Sequence, residues 1–255
     1  VPGLDRSIRV IEAVFEQTYS LAAGVPIHTA IANTILGGYP DCPMNFSTTA
    51  LVTPALVAQE GDDRWDFCQG LAEAMGCDLY FDRDGVLLLR PAPTGLSPAV
   101  AQLVEGENGV LVTADRTWTR ESAVNRVVVT GQNVASAAVY RGVATDDNPL
   151  SPTRYGGPFG RCTYPWSPSG PADSALTSDA QAAYVARVIL AKKLGISQQV
   201  GFSTLVNPAL EPYDVARITR ARSGVDEDSI LDSLSIPLSV EGAMSGNARA
   251  SQVVT

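Results

Sequence analysis

The stretch from Asp62 to Pro91, DDRWDFCQGLAEAMGCDLYFDRDGVLLLRP, leaves little freedom in what it can form. Asp62 and Asp63 offer side-chain oxygens to the open amides of a helix start, where negative charge is also favoured. Trp65, Cys68, Leu71, Ala72 and Met75 then recur at helical spacing as one apolar stripe. Gly76 stands where a helix end takes a left-handed residue. After it the period changes to two, with Cys77, Leu79 and Phe81 on one side and Asp78, Tyr80 and Asp82 on the other. Arg83-Asp84-Gly85 supplies a turn, and Val86–Leu89 returns as an apolar strand. The pattern predicts a helix packed on a hairpin, with Trp65 and Met75 buried against Val86–Leu89.

On the N-terminal side, Leu4–Phe15 has Ile8, Ile11 and Phe15 at helical intervals behind a cap at Asp5 or Ser7. Thr18–Leu21 alternates like a short strand. Pro26 opens a helix over Ile27–Leu36, which Gly37-Gly38 end. Tyr39–Pro54 holds Pro and Asn and reads as a surface crossing. The prolines and glycines of Pro91–Gly109 mark a boundary between a mixed α/β domain at 1–95 and a β-barrel-like domain at 105–255.

Beyond that boundary the pattern is mostly β. Gly109–Thr119, Val124–Gly131 and Ala137–Ala144 read as strands rich in Val and Thr, and Arg126–Thr130 is apolar enough to be central. The segment 146–170 is too rich in proline for regular structure, and long loops in compact domains are usually binding elements. Its Tyr155, Phe159, Tyr164 and Trp166 are anchors of the kind found at interfaces between subunits. Covering the protein's own barrel is the other use of these rings. Thr177 and Ser178 precede a helix with Gln181 placed for a capping box, Val185, Val188 and Ile189 as its buried stripe and Gly195 as its stop. Gln199–Val206, Val215–Arg220 and Ser229–Val240 follow as strands, the last with Ile230, Leu234, Ile236 and Leu238 on one face. Ala248–Val254 is a weaker strand. The turn Ser223–Asp228 joins two of these strands and carries Asp226, Glu227 and Asp228. The class is α+β, with six or seven strands closing as a small barrel or sandwich around one helix.

The search for chemistry yields little. A formal charge of −9 argues against non-specific binding to nucleic acid, since phosphate contact needs clustered Lys and Arg. The four cysteines, Cys42, Cys68, Cys77 and Cys162, form no Cys-x-x-Cys and read as small buried hydrophobes. His28, the single histidine, sits at a helix start and reads as a capping or surface residue. No nucleophile elbow, Walker sequence or Gly-x-Gly-x-x-Gly is present. Asp82-Arg83-Asp84-Gly85 opens like a calcium loop but lacks the third ligand and the distant Glu, so it reads as a hairpin turn. Asp146/Asp147 and Asp226/Glu227/Asp228 are the carboxylates available to a glycosidase, although adjacent acids on a strand face opposite ways. These residues predict no catalytic centre, cofactor or metal. No apolar run is long enough to span a membrane and no signal peptide is visible, so no membrane insertion by this chain is expected. Val stands first, as in a processed product or a fragment.

The order of the Arg64–Pro91 unit, NRVVVTGQN, DDNPLSPTRYGGPFG, NPALEPYDVARI and LDSLSIPLSVEGAM resembles a family of minor tail proteins from siphophages of actinobacteria. More distantly, the helix–hairpin unit followed by a β-barrel is similar to the baseplate-hub family, which includes phage late-control D proteins and hubs of contractile injection systems. The family usually has Gly where this chain has Tyr213. Val1–Ser7 resembles the end of a strand that an N-terminal barrel would precede. The resemblance implies a baseplate-hub-like fold and a structural role at the tail tip, in the virion, after assembly in the host cytoplasm. Such hubs form homo-oligomeric rings, usually trimers, that join the tail tube and distal tail protein to tip or fibre proteins. DNA passes through the lumen without specific binding, which makes Asp226, Glu227 and Asp228 the candidates to face the channel. The hub of a contractile injection system is the near alternative, and a tail-borne cell-wall hydrolase using Asp226 or Asp146 the one of a different class.

Overall fold

The computed structural model describes residues 5–92, 97–118, 123–133, 138–149, 151–168, 175–196, 198–239 and 242–250. The expected barrel remnant at Val1–Ser7, the boundary residues 93–96, and the strand ends at Thr119, Ala137, Val240 and 251–254 lie wholly or partly outside them.

The N-terminal elements are built around rings and aliphatic side chains. Helix α1 is short, Ile8–Ile11, and the chain leaves it before Phe15, which is nevertheless buried. Strand β1 (Tyr19–Leu21) precedes helix α2 (Ile27–Gly38), which Pro26 introduces. Strands β2 (Met44–Phe46) and β3 (Leu56–Ala58) follow, neither foreseen in the sequence. Helix α3 (Arg64–Ala74) starts as expected, the Asp63 carboxylate accepting from the amides of Trp65 and Asp66. Gly76 takes φ +67 and ends it. Strands β4 (Cys77–Phe81) and β5 (Leu87–Pro91) pair antiparallel, and β2 adds to β5 in parallel. The Asp82 carboxylate accepts from the amides of Asp84 and Val86, which makes this loop a hairpin turn.

One prediction for α3 fails. Trp65 is only half-buried and stacks on Phe81, with ring centroids 5.9 Å apart. The aromatic in the core is Phe67, fully buried and edge-on to Phe15 at 5.7 Å. Helix rotation puts Phe67, Cys68, Leu71 and Ala74 inward, together with Ile27, Ile31 and Ile35 of α2. Met75 is buried. The guanidinium of Arg64 lies 4.4 Å from the Phe15 ring centroid. It also explains Gly38: a Cβ there would stand 2.9 Å from Ala13 Cβ and 3.0 Å from Arg64 Cδ.

Strands β6 (Ala101–Val104) and β7 (Leu111–Trp118) come next, β6 out of the segment read as a boundary. Strands β8 (Arg126–Asn133), β9 (Ala138–Thr145) and β10 (Thr163–Trp166) form one sheet with β8 central, as its apolar run predicted. Helix α4 (Asp179–Ile196) is capped by Ser178 Oγ, which accepts from the Gln181 amide, while Gln181 Oε1 accepts from Thr177. Its buried stripe is Ala182, Val185, Ala186 and Leu190; Val188 and Ile189 are half-buried. Gly142 of β9 faces α4 so closely that a Cβ would stand 2.1 Å from the Ala182 carbonyl carbon, a space no side chain can share.

The remaining strands are β11 (Gln198–Thr204), β12 (Val215–Arg220), β13 (Val225–Ser235) and β14 (Met244–Ala250). With β6 and β7 they make a curled six-stranded sheet in the order β6-β12-β13-β14-β11-β7, antiparallel except for β6–β12. Leu103, Ala114, Val200, Phe202, Ile218, Leu231 and Met244 fill its inside. Arg220 Nη1 and Ser223 Oγ both donate to the Ala114 carbonyl, at 2.8 and 2.7 Å, drawing the β12–β13 turn onto β7. A bulge between Leu231 and Ser233 shifts the expected face of β13. Leu231 points inward, while Ile236 and Leu238 lie beyond the strand and are exposed.

The class is α+β with a barrel-like sheet, but the division of the chain is not the one expected. Compact units form from 1–92, 127–144 and 165–188, and from 93–126, 145–164 and 189–255. Residues 127–144 and 165–188 therefore leave the domain 105–255 and cluster with the first unit. The α4 stretch up to Val188 belongs there, and the described core of the curled sheet comes from its own strands and Leu210.

Candidate functional site

The proline-rich segment is held by two buried polar side chains. Asp146 closes β9, and its carboxylate accepts from Ser151 Oγ at 2.6 Å, Thr153 Oγ1 at 2.9 Å and the Asn148 amide at 3.3 Å. Its own amide donates to the Asn125 carbonyl, and its carbonyl accepts from the Tyr155 amide, both at 2.9 Å. Asn125 Nδ2 donates to the Gly160 carbonyl, and its Oδ1 accepts from the Cys162 amide, also at 2.9 Å. Gly156 and Gly160 take φ +78 and +76 across an isolated bridge between Gly157 and Gly160. Residues 146–162 thus carry their own hydrogen-bond network, and Thr163–Trp166 is a strand. This corrects the expectation that 146–170 lacks regular structure; 169 and 170 lie outside the described residues. The organising pattern, Asp followed by Asn, Ser and Thr at short offsets, was present in DDNPLSPT and was missed.

Tyr155, Phe159, Tyr164 and Trp166 are all half-buried. Tyr155 OH accepts from Arg126 Nη1 at 3.1 Å, and the guanidinium carbons of Arg126 and Arg161 lie 5.3 and 5.6 Å from its ring centroid. The hydrogen bond from Arg126, with the nearby positive charges, holds the phenol below its usual pKa. Lys193 Nζ lies 4.8 Å from the Tyr164 ring centroid. Tyr155 and Tyr164 thus each meet a cation near the ring, the approach that an aromatic quadrupole favours.

Asp226, Glu227 and Asp228 do not sit in a turn. The turn is the 3-10 segment Ala221–Ser223 with Gly224 left-handed, and the acids are the opening residues of β13. Alternation splits them between faces. Asp226 and Asp228 share Arg217, at 2.9 and 3.4 Å, while Glu227 lies on the face of Val225 and pairs with Arg116 at 3.0 Å. Nearby, Arg220 reaches Glu105 at 3.3 Å and Asp115 at 3.2 Å, and Arg222 reaches Glu105 at 3.1 Å. The proposed hydrolytic carboxylates are thus both engaged, Asp146 by a turn and Asp226 by Arg217 and Thr219.

His28 Nδ1 accepts from the Thr49 amide at 3.3 Å, a loop-positioning role. Cys42, Cys68 and Cys77 are buried and Cys162 is half-buried; burial pushes the Cys68 thiol far up, which keeps it inert. Among the described residues, no three His, Cys, Asp or Glu side chains gather as metal ligands, and no helix is long and apolar enough to cross a membrane.

No protein-family model and no curated protein sequence matches the chain. Solved structures do. The chain is similar to the tail protein from Neisseria meningitidis MC58 over 97% of its own length and 73% of that chain, with TM-score 0.68 and 13% identity. It is similar to the 43 kDa tail protein of prophage MuSo2 from Shewanella oneidensis over 97% and 72%, with TM-score 0.69 and 14% identity. A component of the E. coli type VI secretion system, itself structurally similar to T4 bacteriophage tail proteins, matches over 96% and 53%, with TM-score 0.52 and 10% identity. At such identities the shared property is the fold.

Proposed function

We propose that the chain is a structural protein of a phage-type tail, placed at the tail tip as the hub that joins the tube to the distal parts. The observation that carries this reading is the fold shared with two tail proteins through nearly the whole chain. The role is mechanical and non-enzymatic. Copies assemble as a ring, a trimer as in the hub family, between tail tube, distal tail protein and tip or fibre proteins in the virion, after assembly in the host cytoplasm. Tyr155, Phe159, Tyr164 and Trp166 serve contacts between subunits. Asp226 and Asp228, two carboxylates to one Arg217, keep a negative balance suited to a conduit in which DNA must not stick, since each phosphate-neutralising cation adds affinity. Glu227, on the other face and paired with Arg116, is the weaker channel candidate.

Electron microscopy of intact particles with this chain labelled tests the placement. Label at the tail tip is the expected result; label along the tube, on the capsid, or absent from the particle overturns it. The likeness to a type VI secretion component favours one other reading, the hub of a contractile system. A contracted sheath in the same micrographs would select it.

A further inference from the structure

One end of the curled sheet exposes aliphatic side chains. Leu205 follows β11 and Ile236 follows β13, so they flank the start of β14, whose Met244 pairs with Thr204 and Ser245 with Ser235. The Leu205 amide donates to the Val110 carbonyl at 2.9 Å, which brings the start of β7 to the same end. There the register shift leaves Val112 between the pairs Thr204–Leu111 and Ser203–Thr113, and its side chain is 51% exposed. Leu205 is 59% exposed and Leu238 completely so. The loops 205–214 and 236–239 contain neither Lys nor Arg, and their acids Glu211 and Asp214 are half-buried, the Asp214 carboxylate accepting from the Glu211 amide at 2.9 Å. This rim is apolar with an acidic flank.

The face around Tyr155 is its chemical counterpart in the same unit. It offers a ring flanked by Arg126 and Arg161, with the exposed Arg154 beside it. The carboxylate of Asp146 is taken up by Ser151 and Thr153, which leaves Asp147 as the exposed acid of the segment. Aliphatic groups meet a ring and acids meet guanidiniums when rim faces platform, whereas rim against rim would set acid opposite acid.

We propose that the apolar rim of one copy docks on the Tyr155–Arg161 platform of a second copy, head to tail. The proposal rests on the assembly reading above for its occupant and adds which faces meet. Such heterologous contacts close into rings where the rotation allows and run into open filaments where it does not.

Sedimentation of the full chain and two variants tests it. Leu205→Ser with Leu238→Ser removes the rim, and Arg161→Glu reverses the platform. Both change exposed side chains, so circular dichroism melting matching the parent verifies the fold. The parent should associate with rising concentration, and each variant alone should associate at least about tenfold more weakly. An equimolar mixture of the two should form a one-to-one dimer and nothing larger, because each supplies the face the other lacks. Association unchanged in either variant, or no dimer in the mixture, overturns the pairing and leaves the tail reading standing. A parent that stays monomeric throughout also overturns it, while the placement of label on particles judges the tail reading separately.

Discussion

The two units solve the same problem by different chemistry. The first is tied together by rings and aliphatic side chains: Phe15, Tyr19 and Phe67 meet around Ile27, Ile31 and Ile35, and the half-buried Arg64 rests on a ring. The second has a core of smaller side chains with Phe202 as its aromatic. Its curled sheet is drawn together at one end by charge, through Arg220 on Ala114, Asp115 and Glu105 and Arg116 on Glu227. A helix pair can grow an apolar seam along its length. A curled sheet must bring distant strands together, and long Arg side chains bridge that gap while satisfying backbone carbonyls.

Cutting the ring cluster should have the largest effect. Phe67→Ala is expected to cost about 3–5 kcal/mol in denaturant unfolding, as for a fully buried aromatic. Removing the charged tie is expected to cost less: Arg220→Met should lose about 2–3 kcal/mol, because a nearly buried charge-assisted bond to Ala114 goes with it. If the Arg220 variant is as stable as the parent, ions do not hold the second unit and the contrast fails. Trp65→Ala should fall below both, at about 1–2 kcal/mol, since the ring is half in solvent and gives up mainly its stack on Phe81. A loss equal to that of Phe67→Ala would show the stripe as first read from the sequence to be the true core.

The smallest effect has the opposite sign. Tyr213 sits at φ +75, a left-handed conformation that costs a residue with a Cβ about 1–2 kcal/mol. Tyr213→Gly should raise the melting temperature by an amount equivalent to at most about 1 kcal/mol, the entropy of a freer unfolded chain offsetting part of the relief. No gain would mean that the ring's contacts outweigh the strain.

That position was not legible in its own residue, since Tyr carries no left-handed signal and the resemblance alone put Gly there. Asp63, Gly76, Ser178 and Gln181 were readable, since caps are decided within a turn of chain. Strands β2, β3 and β10 were not, because three or four residues carry too little period to stand out. Strand β6 was hidden among prolines and glycines and is recognised only through β12, more than a hundred residues away. Phe67 was passed over for Trp65 because the helical stripe can be drawn through either, and only the partners across it decide. The site suffered most: the ties from Arg116, Arg217 and Arg220 join strands far apart in sequence, so the acids of β13 looked like a free hairpin tip.

The interleaving of the two units has a consequence for biosynthesis. When a ribosome has released residues 1–92, it has yet to make the Gln181 side chain that donates to the Ala74 carbonyl at 2.7 Å, or the Tyr184 and Val188 side chains that lie over Gly76. The first unit must therefore wait, with its helix end uncovered, while the strands between are synthesised. Contacts of such high sequence separation slow folding and prolong the lifetime of sticky intermediates. Early collapse can supply only the local helix–hairpin, and the last covering contacts arrive with a helix made more than a hundred residues later.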